Sequence, residues 1–431
     1  TGRPERRLDH LPDPDHIGVT PSRLPHIKPK LRVAVDDRVK LGALLFFDKR
    51  RPDICFLSPA AGVIEKIDFG PRRVIRSIVI RRDKEEEKES FDVVSPERLE
   101  AITRAELVSH LTRGGLWPLL RSLPFRDLAD PETTPPAIIV TLSNLDPFHP
   151  PASFYLENNH REFEFGLAAL EKLGPRVFTV AAGDQDGLPP ELESRLTHRL
   201  SGNYPADDPG VFTYYTRATA DDNRAWYIDG GAVALLGRFL AEGHYPVNRV
   251  VAVSAPDRKQ FLVTRQGVPV SQLVPGLEEG SRRWSFLAGG LWRGSPVGAD
   301  DYLGFYDTAL TVLPAGDQSE FLGFARPGWN KPSHSRTFLS FLNRGPFSPD
   351  TGRHGEERAC VNCGSCAEVC PVDLLPQFTL KCVLAGEVEE ALAHGLLDCV
   401  ECGLCAYVCP SKIELRHLLR QAKVDYYNED R

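Results

Sequence analysis

Two runs decide how the C-terminal part of this chain is built: Cys360–Pro371, CVNCGSCAEVCP, and Cys399–Pro410, CVECGLCAYVCP. Each reads C-x2-C-x2-C-x3-C-P, and together they take eight of the ten cysteines, leaving Cys55 and Cys382. Three thiolates at this interval on one short loop can each hold a different iron of a cubane, whose fourth iron then needs a thiolate from elsewhere. Structural zinc sites draw paired C-x2-C knuckles from separate loops, and a third cysteine followed by x3-C-P departs from that pattern. A disulfide framework suits an exported chain. The N-terminal stretch TGRPERRLDHLPDPDH lacks the apolar core of a secretory signal, so reduced thiols in the cytosol are expected. Cys55, in the apolar run ICFL, and Cys382, between the two motifs, read as buried inert thiols.

The spacing is similar to that of bacterial two-cluster ferredoxins, in which the last cysteine of each run ligates the other cluster. The resemblance implies one 4Fe-4S cluster on Cys360, Cys363, Cys366 and Cys409, and a second on Cys399, Cys402, Cys405 and Cys370. Pro371 and Pro410 stop each loop. Gly364 and Gly403 follow the second cysteine of each run, where a missing side chain lets backbone N–H groups approach cluster sulfur. Twenty-eight residues separate Cys370 from Cys399, too many for a tight β-hairpin. They suit two helices, Leu374 to Ala385 and Glu387 to Leu396, broken at Gly386. Ile413, Leu415, Leu418, Leu419 and Ala422 recur at helical spacing, so an α-helical ferredoxin domain is expected.

The remaining sequence divides by periodicity. With 431 residues and 42% hydrophobic content, two to four domains are expected, and the fold class is α+β multidomain. Residues 1–92 carry strand-like stretches within Leu31 to Phe47, in Ser58 to Ile67 and in Val74 to Arg81. They resemble a biotinyl/lipoyl-type β-barrel, although Lys49 is a poor match to the carrier lysine. The charged run Asp83 to Glu89 reads as a solvated loop. Residues 93–250 alternate strands (Ala137 to Leu142, Val177 to Ala182) with helices (Arg161 to Leu173, Gly230 to Glu242), the pattern of a Rossmann-like α/β unit with a parallel sheet. No G-x-G-x-x-G or G-x-x-x-x-G-K-S/T accompanies it, so phosphate binding has little support. Residues 251–335 return to β-rich runs consistent with a β-grasp-like domain, Pro327 to Ser348 reads as a linker, and 336–431 hold that linker and the ferredoxin domain. The 52 Lys and Arg are mixed with 59 Asp and Glu, without the basic stripe that nucleic acid demands. No apolar run reaches the eighteen residues of a membrane span, and no covalent membrane anchor is expected.

Further stretches carry a family likeness: DKRRPDICFLSPAAGVI (Asp48–Ile64), GGLWPLLRSLPF (Gly114–Phe125), SGNYPADDPG (Ser201–Gly210), YLGFY (Tyr302–Tyr306) and EFLGFARPGWNKPS (Glu320–Ser333). They resemble the NqrA component of the sodium-translocating NADH:quinone oxidoreductase (Nqr). CPVDLLPQ (Cys370–Gln377) and the second cysteine run resemble the RnfC component of the related Rnf complex. The resemblance implies a peripheral subunit on the cytoplasmic side of the inner membrane. Its partners would be membrane-embedded and peripheral subunits of an ion-translocating oxidoreductase, with electrons relayed to or from partner proteins or quinone. No residue is assigned to quinone. The usual NqrA lacks most of the cluster cysteines, whereas this chain has all eight. Conversely, the Gly-rich flavin and nicotinamide stretch of NADH-oxidising relatives is missing. Bound flavin and NADH oxidation by this chain are therefore the weaker alternative, and a scaffold or quinone-docking role with structural clusters is another.

Overall fold

In the computed structural model, the residues described are 6–157, 159–183, 188, 190–277, 283–316, 327–329, 339–345, 350–352 and 356–429. Most of Glu320–Ser333, and of the linker read over Pro327–Ser348, lies outside them.

Near the N-terminus, two small antiparallel sheets pack face to face. One holds His16–Val19, Ile75–Arg82, Gly62–Phe69 and Arg38–Val39 in that order, and the other Pro29–Leu31, Leu44–Asp48 and Arg51–Leu57. Ile17, Leu45, Phe46, Ile54, Ile64, Ile78 and Ile80 are fully buried in one core, and the consecutive pair Leu45 and Phe46 sits where a register shift interrupts the strand's alternation. The turn carrying Lys49 is tied down at its base. Asp48, fully buried, accepts from the backbone N–H of Lys28 (2.9 Å), while Arg51 donates to Leu128 O (2.8 Å) and to Asp127 Oδ1 (3.0 Å) in the next domain. This hairpin is an interdomain clasp.

The α/β domain has its parallel strands in the order Trp226–Asp229, Ile138–Thr141, Val177–Ala182 and His198–Leu200, with a short antiparallel edge at Arg121–Ser122 and Asp127–Leu128. The helices His160–Leu173 and Gly230–Glu242 pack closely together. A Cβ on Gly237 would stand 1.8 Å from Glu162 O and one on Gly166 2.1 Å from Val233 O, so both sites need glycine. From Ile138–Thr141 the chain crosses to one side of the sheet, and it later returns on the other as Trp226–Asp229. The crevice at the carboxyl ends of these two strands is therefore a topological switch point.

A third, mixed sheet runs Leu8–His10, Lys259–Arg265, Asn248–Ser254, Ala309–Pro314, Trp284–Ala288 and Ser295–Val297. Its first strand comes from the N-terminal arm and lies parallel to Lys259–Arg265, with Leu8 opposite Phe261. Most of the Asp83–Glu89 run is exposed, as a solvated loop is, but Glu86 departs from that expectation. Glu86 accepts from Arg265 Nη1 (2.7 Å) and Nη2 (2.9 Å) and from Ala61 N–H (2.8 Å), and Arg265 is only 4% exposed. A charge run scanned as a row conceals one member that turns inward to satisfy a buried guanidinium.

The C-terminal helices are Pro376–Ala385, Val388–Ala393 and Leu415–Glu429, with Gly386 in the left-handed region (φ 74°) between the first two. No helix among the described residues is long and apolar enough to cross a membrane.

Candidate iron–sulfur centre and the cavity behind it

The two cysteine runs fold alike. Left-handed residues stand at matching positions: Asn362 and Glu401, Gly364 and Gly403, Asp373 and Lys412. Each glycine opens a short helix, Ser365–Glu368 or Leu404–Tyr407. This turn sends backbone N–H groups back toward sulfur. Ser365 N–H reaches the Cys363 thiol and Leu404 N–H the Cys402 thiol, while Val372 and Leu374 N–H groups reach Cys370. The expectation about Gly364 and Gly403 thus has a backbone basis: only a residue free to take positive φ makes this turn without strain.

Two small cavities lie between the runs. One is lined by Cys360, Cys363, Cys366 and Cys409, the other by Cys370, Cys399, Cys402 and Cys405. Each therefore collects three thiols from one run and the last thiol of the other, the crossed donor set that a pair of cubanes needs. Among the described residues, no three His, Cys, Asp or Glu side chains converge as ligands of a single metal ion do. A cubane is compatible with that, because its four thiolates surround a cage and bind four separate irons.

The two sets differ in setting. In the first, the outer set, Cys360 and Cys363 are exposed, beside Val361 at 68% exposure. The second, the inner set, packs with Val211, Val372, Leu374 and Val400 against the α/β domain. Burial pushes the Cys370, Cys399, Cys402 and Cys405 thiols up, and that of Cys366 as well. The N–H of Ser365 holds Cys363 below its ordinary range. Binding iron at the inner set therefore expels protons that would otherwise stay on sulfur. Cys55 and Cys382 line neither cavity.

Around the inner set, four consecutive carbonyls are each gripped by a different side chain. Lys423 Nζ donates to Cys399 O (2.9 Å), Arg126 Nη2 to Val400 O (3.1 Å), Arg416 Nε to Glu401 O (3.0 Å) and Tyr204 Oη to Cys402 O (2.8 Å). Asp208, which caps the Pro209–Thr216 helix, holds Arg126 (2.8 Å) and Arg293 (2.6 Å) together. Burial alone would raise the Asp208 carboxyl, yet these guanidiniums keep it below its ordinary range. Glu401 is likewise held down to about 2, against the effect of burial, by Lys423, Arg126 and Arg420. None of these partners was legible from motif spacing. A signal did exist: Lys423 occupies the buried row Leu415, Leu419, Lys423, Tyr427 of the last helix, where an apolar residue is the rule.

Val400, Glu401, Arg126 and Arg293 also line an open cleft of about 1010 Å3 between the barrel, α/β, third-sheet and helical parts. It shares Ser143, Asp229, Arg121, Tyr227 and Tyr306 with an adjoining cavity of about 460 Å3 at the sheet's switch point. Arg121 lies over the rings of Tyr306 (4.6 Å) and Tyr227 (5.2 Å). The Tyr227 hydroxyl is buried without a hydrogen-bond partner among the described residues.

A barrel, an α/β domain and a cysteine-rich helical module clasped around one cleft define a multidomain iron–sulfur protein that serves as an electron-transferring part of an oxidoreductase complex. Family models agree: "NqrA N-terminal barrel-sandwich hybrid domain" matches residues 1–83, "NqrA second alpha/beta domain" 102–245 and "4Fe-4S dicluster domain" 359–413. The NqrA of Pseudomonas aeruginosa, from its Na(+)-translocating NADH-quinone reductase, is 32% identical over 404 residues, covering 92% of this chain and 90% of its own length. The NqrA of Pasteurella multocida is 32% identical over 403 residues with the same coverage, and that of Tolumonas auensis 30% over 406. The chain belongs to the NqrA family of Na(+)-translocating NADH-quinone reductase subunits, with a C-terminal 4Fe-4S dicluster domain.

Proposed function

We propose that this chain relays electrons within an Nqr-type ion-translocating complex through two 4Fe-4S clusters. Cys360, Cys363, Cys366 and Cys409 hold one, and Cys370, Cys399, Cys402 and Cys405 hold the other. The observation that carries the proposal is the lining of the two small cavities, each by one crossed set of four thiols. Once bound, such clusters supply one-electron redox chemistry; the chain contributes thiolates, N–H donors and burial. On this reading the units span 1–92, 93–250, 251–335 (β-grasp-like) and 336–431. The chain sits on the cytoplasmic side of the inner membrane, docked to membrane-embedded and peripheral subunits.

The name of the relatives joins NADH to quinone. A quinone contact in this chain has one point of support: the Tyr227 hydroxyl, unpartnered at the junction of the two larger cavities, can donate to a carbonyl oxygen.

Metal analysis of anaerobically purified protein tests the relay. About eight iron and about eight acid-labile sulfide per chain are expected. Stoichiometric zinc, or a colourless protein silent in EPR after dithionite, overturns it.

A further inference from the structure

We propose that the grip on the Cys399–Cys402 carbonyls makes the inner set the higher-potential centre, so that electrons enter at the outer set and run inward toward the central cavity. This rests on the two-cluster reading above.

The two cysteine runs share one backbone, so any difference in potential must come from what surrounds them. Three cations and a phenol pull on the four carbonyl oxygens from Cys399 to Cys402. A peptide whose oxygen is drawn outward turns its N–H, the positive end of its dipole, the other way. The Glu401 N–H does reach the Cys399 thiol. Behind the carbonyls stand Lys423, Arg126, Arg293, Arg416 and Arg420, against the carboxylates of Asp146, Asp207, Asp208 and Glu401. Surplus positive charge and N–H donors favour the more negative, reduced cluster. Burial works the other way. It acts here in company with cations screened little by water, which strengthens them as well. Among the described residues, no side chain donates to the carbonyls of Cys360–Cys363. Glu368 bears on Cys363 of the outer set as Asp373 bears on Cys370 of the inner, so these two acids offset in the comparison, and the outer loop is open to solvent. The exposed edge suits exchange with a partner, while the inner loop, through Val400 and Glu401, walls the cavity.

Potentiometric titration of the holoprotein followed by EPR tests the order. Two midpoint potentials are expected. In Cys363→Ala the lower one disappears and the higher stays. Lys423→Gln and Arg416→Gln each move the higher potential downward and leave the lower in place. Arg416 is the milder probe, since its hydrogen bonds go only to carbonyls, those of Glu401, Trp292 and Arg293. Loss of the higher potential in Cys363→Ala overturns the proposal, and so do Arg416→Gln and Lys423→Gln shifts that move both potentials equally or neither. An absence of any cluster signal in the unaltered protein instead brings down the two-cluster reading itself.

Discussion

Cys370 and Cys409 end their own runs yet line the cavity of the opposite one, which gives single substitutions an unusual signature. Cys409→Ala should cut iron from about eight to about four per chain and leave the same EPR spectrum as Cys363→Ala. Cys370→Ala should match Cys402→Ala. If Cys409→Ala instead matches Cys402→Ala, each run holds its own cluster and the crossed assignment is wrong. The crossed grouping of the thiols was legible because spacing along a loop is a local property of sequence. Lys423 and Glu401 were not, because a buried ion pair across 22 positions leaves no periodic trace; only the misplaced lysine in an apolar row hints at it. That pair has a pH signature. The Glu401 pKa is about 2 in the fold against an ordinary 4.5, so its stabilisation is fully present above 4.5 and is lost as the pH falls toward 2. The effect is on the order of 3 kcal/mol. Glu401→Gln should therefore lower the thermal midpoint by a constant amount from pH 8 to pH 5, with the gap closing below 4.5. A gap that persists unchanged in acid would show that the charge is irrelevant.

At the scale of elements, periodicity located the structure well where an element makes its own core. Val177–Ala182 and Gly230–Glu242 fall at the expected bounds, and the break at Gly386 is where the left-handed residue ends one helix. It was blind to pairings between distant segments. Leu8–His10 is a strand only because Lys259–Arg265 offers it an edge, and Glu86 turns inward to meet the buried Arg265. The Glu86–Arg265 contact joins the barrel to the third sheet: Arg265 is buried, Glu86 is partly exposed, and the exposed Asp13 also accepts from Arg265 (3.2 Å). Arg265→Ala takes away the closest cation of Glu86 and leaves it with Arg82 (3.7 Å) and the Ala61 N–H, so it should cost about 1–3 kcal/mol. Replacing both partners, as Arg265→Met with Glu86→Met, should cost much less. Denaturant unfolding of the three variants decides this. Equal losses in the single and double variants would mean that packing, and not the lost ion pair, sets the cost.

For the molecule as a whole, the two-cluster reading proposed above makes the inner cysteine set a fastening point as well as a redox site. Its loop is held by Arg126 and Tyr204 of the α/β domain, by Lys423 and Arg416 of the last helix, and through Arg416 by the Trp292 and Arg293 carbonyls of the third sheet. Three domains therefore depend on the shape of one loop, and that shape depends on what its thiols bind. With iron removed, the buried thiols take up protons, as their raised pKa values require, and the constraint that fixes Cys370 against the second run is gone. Local opening follows the loss of such contacts. Hydrogen exchange before and after chelator treatment should show protection falling in Pro209–Thr216, in the 289–293 segment and in Leu415–Glu429. The barrel strands Gly62–Phe69 and Ile75–Arg82, which bury their own core, should keep theirs. Unchanged protection at the three docking segments would mean that the apolar contacts of Val211, Val372 and Leu374 hold the domains together unaided. The clusters would then be passengers in the fold, placed by it without supporting it.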